Sequence, residues 1–124
     1  HRAVIRKSDQ LMIGSCSVFV ETGETNKHGM GFALRQDCWG HGYATELVHE
    51  QLRHAFNDLN SIRVYAETHP DNLASQRVLQ KANLRCEGLF ERKVYVKGDW
   101  WDVMRYVMLR EEFTQRSEIG TAEI

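Results

Sequence analysis

Polar and apolar positions alternate with a period of two at the start of the chain and change to a helical period partway along. Ala3-Val4-Ile5 and the run from Leu11 to Glu21 read as two β-rich segments separated by the polar turn Lys7-Ser8-Asp9-Gln10, which predicts a hairpin. A loop from Thr22 to Lys27 leads to a third extended stretch, His28 to Leu34. There Gly29 and Gly31 weaken local pairing and permit a bulge or a close backbone approach. From Tyr43 to Asp58 the apolar residues Ala44, Leu47, Val48, Leu52, Ala55 and Phe56, followed by Leu59, recur at three- and four-residue steps and mark a helix with one buried stripe. Ile62 to Thr68 alternates into a strand, and His69-Pro70-Asp71-Asn72 interrupts it before a second helix, Leu73 to Ala82. Leu84 to Val96 and Trp100 to Leu109 predict a long hairpin around Lys97-Gly98-Asp99, and Arg110 to Ile124 reads as a charged, weakly structured tail. The order of elements places the chain in the α/β (α+β) class, with one domain over residues 1–112 and a tail over 113–124. It opens on His1 inside a strand-like run, so residues upstream are expected.

The junction between the third strand and the first helix carries the clearest chemistry. It reads Arg35-Gln-Asp-Cys38-Trp39-Gly40-His41-Gly42-Tyr43-Ala44-Thr45-Glu46. A helix start leaves backbone N–H groups without intrahelical partners and carries the positive end of the macrodipole, so an anion docks there when no Cβ blocks its approach. Gly40 and Gly42 leave that approach clear. Two glycines in a loop also serve as plain turn chemistry, but a strand before and a helix after favour the anion site. A P-loop would need Lys-Ser/Thr after its last glycine, where Tyr43-Ala44 stands. A nicotinamide-dinucleotide fingerprint would need its glycines directly after a parallel strand, whereas several residues separate Leu34 from Gly40.

Composition narrows the partners. With 124 residues, 42% hydrophobic and 27% charged, the chain can bury roughly 65% of the surface it exposes when unfolded, enough for one core. A net charge of −1 gives no general attraction to nucleic acid or to an anionic membrane, and neither is an expected partner. No apolar run reaches the ~20 residues of a membrane-spanning helix, and no signal-peptide pattern opens the chain, so a cytoplasmic location is expected. Cys16, Cys38 and Cys86 are odd in number and widely spaced, which favours free thiols. Cys38 and His41, with His49 or His54, lack the second ligand pair of a zinc site, and no metal is expected.

Trp39-Gly-His-Gly42-Tyr-Ala-Thr-Glu46 resembles the pyrophosphate turn of the GNAT family of N-acetyltransferases, within it the RimJ- and RimL-like branch that acetylates ribosomal-protein N-termini. Ile13-Gly14, Gly31-Phe32, Asn72-Leu-Ala-Ser75, Val78-Leu79-Gln80-Lys81 and Glu87-Gly88 fall in the same family order and spacing. The resemblance covers the chain from about Ala3 to Glu112. It implies a mixed, mostly antiparallel sheet in which the strands His28–Leu34 and Ile62–Thr68 splay into a V that admits the pantetheine of acetyl-coenzyme A. It also implies that backbone amides from Cys38 to Ala44 hold the pyrophosphate, that backbone groups of Phe32, Ala33 and Leu34 meet the thioester, and that family members bend the strand there. By the same resemblance Asn72 bonds the pantetheine arm and Ser75 gives a proton to the leaving sulfur. Asn72 and Ser75, at i and i+3, would face the same way, although both residue types also cap helices with no ligand present.

The general base is not visible in the sequence. Where relatives often carry carboxylates this chain has Gly29 and Val94, and His28, Glu91 and Asp102 are the substitutes, each of a type usually solvated. Trp100-Trp101 could suggest an aromatic cage or a base-stacking platform, but at least one of the two is expected to support the terminal hairpin's core, where strand aromatics usually pack. Arg77, Lys81 and Arg85 could meet the 3′-phosphate of coenzyme A, solvation being the plainer reading. The expected function is direct transfer of acetyl from acetyl-coenzyme A to an amine, either a protein N-terminus or a small molecule. The alternatives are a coenzyme A-binding module without catalysis and, less favoured, a nicotinamide-dinucleotide-binding protein. An exposed last strand, or a missing first one, would favour pairing of two copies into a homodimer.

Overall fold

The computed structural model describes residues 2–21, 23 and 25–115. Six strands form one sheet in the order β1-β2-β3-β4-β6-β5. The hairpin predicted at the start is β1 (Arg2–Arg6) against β2 (Leu11–Val20), and β3 (Lys27–Leu34) continues the antiparallel meander. β4 (Arg63–Thr68) is parallel to β3, while β6 (Asp99–Leu109) lies antiparallel between β4 and β5 (Arg85–Val96). The last strand is therefore interior, and the edges are β1 and β5. The β5–β6 hairpin folds back so that its second strand, rich in buried residues such as Val103, Tyr106, Val107 and Met108, meets β4.

The helix predicted over Tyr43–Asp58 is an α-helix, α1, over Tyr43–Arg53 and widens to a π-helical turn over His54–Asp58, closed by Leu59 N–H on the His54 carbonyl at 3.0 Å. The second helix, α2, spans Leu73–Lys81. Both helices pack on one face of the sheet, and the stripe read from the sequence forms the core: Val48, Leu52, Ala55 and Phe56 of α1 and its π turn meet Met30 of β3, Val64 and Ala66 of β4, Leu79 of α2, and Tyr106 and Met108 of β6. Each of the Val, Leu, Met and Phe side chains among them, moved from water into the core, contributes roughly 1.5–3 kcal/mol.

Two local expectations differ from the structure. The tail was expected to be weakly structured from Arg110 onward, yet residues 110–115 are helical, because Arg110 donates to the Phe56 and Ser61 carbonyls (2.7 and 2.9 Å) and Phe113 stacks on Phe56 with centroids 4.8 Å apart. The remainder of the expected tail, 116–124, lies outside the described residues. Trp100 and Trp101 are 56% and 40% exposed and do not support a core. They pack on surface neighbours, Trp100 on Tyr95 and Trp101 edge-on to His69. The tip of this hairpin is a two-residue turn in which Lys97 and Gly98 both have positive φ (48° and 84°), the geometry that matches strand twist.

Candidate functional site

After β3 the chain makes a single 3-10 turn, Gln36–Cys38, and buries the Cys38 side chain to 2% exposure. The Trp39 indole N–H returns to the Leu34 carbonyl at 3.0 Å, fastening the turn to the end of the strand. Gly40 and Gly42 follow with φ of 82° and 79°, in the left-handed region that a Cβ disfavours. No atom lies within 4 Å of where a Cβ would stand at either glycine, so conformation rather than crowding requires them, and the space in front of the turn is open. Gly42 is the N-cap of α1 and has no capping side chain. The first backbone bond at this end is Glu46 N–H to the Gly42 carbonyl at 3.1 Å, which leaves the earlier amides of the helix turned outward.

The strands β3 and β4 pair only from Lys27 to Met30 against Arg63 to Ala66. Beyond this point β3 runs on to Leu34 and β4 to Thr68 with no pairing between them, so the V implied by the family resemblance is present. The direction of the open backbone groups follows from register. Glu21 N–H bonds the Lys27 carbonyl and Arg35 N–H bonds the Ile13 carbonyl at the two ends of an unbroken β2·β3 run. Opposed residues in an antiparallel pair alternate between bonding each other and facing away, so 27, 29, 31 and 33 direct N–H and C=O to β2, while 28, 30, 32 and 34 direct theirs to β4 or, past Met30, into the gap. Phe32 N–H and C=O and Leu34 N–H therefore face the cleft, whereas the Leu34 carbonyl is taken by Trp39. Ala33, expected among the thioester contacts, points its backbone at β2 instead.

No register shift interrupts β3 against β2, so of the two roles open to Gly29, bulge or close approach, the structure selects close approach. A Cβ at Gly29 would stand 2.4 Å from the Phe19 ring and 2.8 Å from that of Tyr65. Those rings fill the space at the position where the family resemblance led a carboxylate to be sought. On the facing side, α2 begins at Asn72, whose Oδ1 accepts the backbone N–H of Ser75 at 3.1 Å. Gln76 anchors the same turn, donating to the Pro70 carbonyl at 2.8 Å and accepting from the Tyr106 hydroxyl at 3.4 Å.

These elements enclose a cleft of about 390 Å³ between the ends of β3, α1 and α2. Of the residues expected from the sequence to bind cofactor, Phe32, Ala33, Leu34, Cys38, Trp39, Gly40, Gly42, Tyr43, Ala44, Asn72 and Ser75 line it. His41 is not among its lining residues; it is exposed, with its ring stacked on Tyr43 at 5.5 Å. Thr45, Ala74 and Val78 also line the cleft, and helical periodicity from Tyr43 and Asn72 would have indicated them. Among the three cations considered for the 3′-phosphate, Lys81 lines the cleft, Arg85 pairs with Glu112 at 3.2 Å, and Arg77 is exposed on α2.

The substitutes for a base are placed elsewhere. His28 is 3% exposed under the helices, Asp102 accepts the Arg92 N–H at 2.8 Å where β5 is irregular, and Glu91 is exposed on the edge strand. A carboxylate not singled out from the sequence stands where β3 and β4 part. Glu67 follows the last β3-paired residue of β4 and, with Tyr65, faces away from the helices; its Oε2 accepts from Arg105 at 2.9 Å. The alternation of Ile62–Thr68 contained that orientation, but the splay that leaves Glu67 beside the gap was not readable from one strand.

A family model described as an acetyltransferase (GNAT) domain matches residues 1–85. The chain is 30% identical over 110 residues to the uncharacterized N-acetyltransferase YnaD of Bacillus subtilis, covering 89% of this chain and 64% of YnaD. It thus spans less than two thirds of that relative's length. Among solved structures, a GNAT-family acetyltransferase from Bacillus anthracis superposes with a TM-score of 0.82 at 27% identity, covering 89% of this chain and 66% of that one. Mycobacterium smegmatis RimJ, solved in complex with CoA-disulfide, superposes with a TM-score of 0.77 at 28% identity, covering 84% and 50%. With its splayed strand pair and glycine turn in the places that the family resemblance assigned them, the chain belongs to the GNAT acetyltransferase family.

Proposed function

We propose that the protein is an acetyl-coenzyme A-dependent N-acetyltransferase that moves an acetyl group onto a primary amine, of a protein N-terminus or a small molecule, within a ternary complex. One observation carries this reading: the uncapped start of α1 and the Phe32 N–H, which pairs with neither β2 nor β4, open into the same cleft. The residues fit the cofactor, since an anion suits the outward amides of the glycine turn and Lys81 adds a positive charge on the same wall. Bound there, acetyl-coenzyme A supplies a thioester: the amine nitrogen forms the new C–N bond, the C–S bond breaks, and the thiol leaves. Phe32 N–H donates to the thioester oxygen, where negative charge develops. The Ser75 hydroxyl hands a proton to the departing sulfur and recovers one from solvent, while Glu67 accepts the proton lost by the amine and releases it to water. The residues that would hold the cofactor lie on the helix side of the sheet and Glu67 on the other, so the two reactants would enter the gap from opposite faces.

The vacant family positions at Gly29 and Val94 favour a second reading, a module that binds coenzyme A without catalysis. Thermal unfolding with acetyl-coenzyme A, coenzyme A or NAD, followed by transfer assays over a panel of amines, separates them. A ligand at 100 times its dissociation constant stabilises the native state by about 2.7 kcal/mol. Stabilisation with transfer supports the enzyme, and a further loss of kcat in Glu67→Gln supports its base. Stabilisation by acetyl-coenzyme A with no transfer to any amine supports the binding module, and a response to NAD alone overturns both.

A further inference from the structure

Gln51 sits in the third turn of α1 with its side chain buried to 4% exposure, an unusual place for an amide. Both of its N–H bonds are spent on the sheet: Nε2 donates to the Gly31 carbonyl at 2.9 Å and to the Ser17 carbonyl at 3.0 Å. Its Oε1 has no partner among the described residues, a cost of burial with no local return. Ser17 and Gly31 are opposed and already bond each other within the β2·β3 ladder, so Gln51 supplies a second donor to each carbonyl from the helix side. Neither strand needs this bond to satisfy its backbone.

The consequence lies in the peptide plane. The Gly31 carbonyl and the Phe32 N–H belong to one planar unit, so a bond that fixes the tilt of the carbonyl also fixes the direction of the N–H on its far side. That N–H is the one facing the gap where β3 has left β4. A donor on the carbonyl also polarises the peptide and strengthens its N–H as a donor. We infer that Gln51 is a positioning residue that aims and strengthens the Phe32 N–H toward the thioester oxygen, and so links the helix that carries the glycine turn to the donor of the reacting centre. The inference rests on the assignment of Phe32 N–H made above.

The test compares wild type with Gln51→Met, which keeps length and volume and removes both donors, using acetyl-coenzyme A labelled with ¹³C at the acetyl carbonyl. Isotope-edited infrared spectra of the bound thioester report the hydrogen bond directly, beside kcat, KM and the dissociation constant. In wild type the carbonyl band should lie below its position in free acetyl-coenzyme A. In Gln51→Met the band should return toward the free value and kcat should fall about tenfold, less than the hundredfold or more typical of removing such a donor outright, with the dissociation constant held within about twofold. Gln51→Leu, which cannot donate, gives the same readout should Gln51→Met not fold. A wild-type band unshifted from free acetyl-coenzyme A overturns the Phe32 assignment itself, and the positioning role with it. A shifted wild-type band that the variants retain, with kcat unchanged or reduced only in step with stability, overturns the role of Gln51 alone.

Discussion

Asn72 Oδ1 accepts the backbone N–H of Ser75 at 3.1 Å, and the Ser75 hydroxyl has no partner among the described residues. Capping and chemistry, which compete as readings of the sequence, here use different atoms of the same two residues. Removing the cap with Asn72→Ala should therefore cost about 1 kcal/mol of stability, seen as a lower urea midpoint. Ser75→Ala should leave the midpoint within about 0.5 kcal/mol and reduce kcat, because only the hydroxyl is lost. Unchanged kcat in Ser75→Ala would remove the residue from the proposed proton path.

The glycine turn makes a second separation. Gly42 holds φ at 79°, and a Cβ there costs about 1–2 kcal/mol in the left-handed region even though no neighbour crowds it. Gly42→Ala should lower stability by that amount and, by rotating the amides at the head of α1, raise KM for acetyl-coenzyme A. Gly88 has equal room and no positive φ, so Gly88→Ala should be neutral within about 0.5 kcal/mol. Equal losses at both positions, by urea unfolding, would show that backbone conformation at the turn is not what the glycine provides.

Much of this was legible because period and punctuation act locally. The alternation of Ile62–Thr68, the stripe of Val48, Leu52 and Phe56, and the glycines before Tyr43 each state their structure within a few residues. Misread features depend on contacts made across the fold. Residues 110–115 become helical only because Phe56 and Ser61 offer carbonyls to Arg110, which no reading of the tail's composition contains. Gln51 is not singled out by the sequence, because the Ser17 and Gly31 carbonyls that it meets belong to other elements. Glu67 acquires its place from the point at which β3 stops pairing, a property of two strands and not of one.

Gly29 illustrates how a missing carboxylate can be structural in origin. The Phe19 and Tyr65 rings, edge to face with centroids 6.2 Å apart, close over it from β2 and β4. Gly29→Ala should cost about 1 kcal/mol, because the new Cβ meets the tips of the two rings, which must swing aside, and urea unfolding measures the loss. Gly29→Glu should not recover a base at this position, and should be less stable still. A tolerated Gly29→Ala would mean that the two rings yield more readily than their packing indicates.

His28 connects the buried core to pH. Burial, reinforced by the nearby His54 charge, holds its imidazole below the ordinary value of 6.5. The unfolded chain therefore takes up a proton at a higher pH than the folded chain does, unfolding binds protons, and acid favours the unfolded state. The contribution is complete above the ordinary value and is lost as pH falls from there through the lowered value of the folded protein. Its slope cannot exceed about 1.4 kcal/mol per pH unit, the limit for one proton. The carboxylates of Asp9, Glu50, Asp58 and Glu87 are held below their ordinary values of 3.8–4.5 by hydrogen bonds from Arg6, Arg53, His54 and Arg63, so their losses begin in more acid solution. Urea unfolding at pH 7, 6 and 5 should accordingly show a decline in wild type that His28→Leu flattens, while both proteins lose stability together below about pH 4. Parallel slopes between pH 7 and 5 would place the titrating group elsewhere.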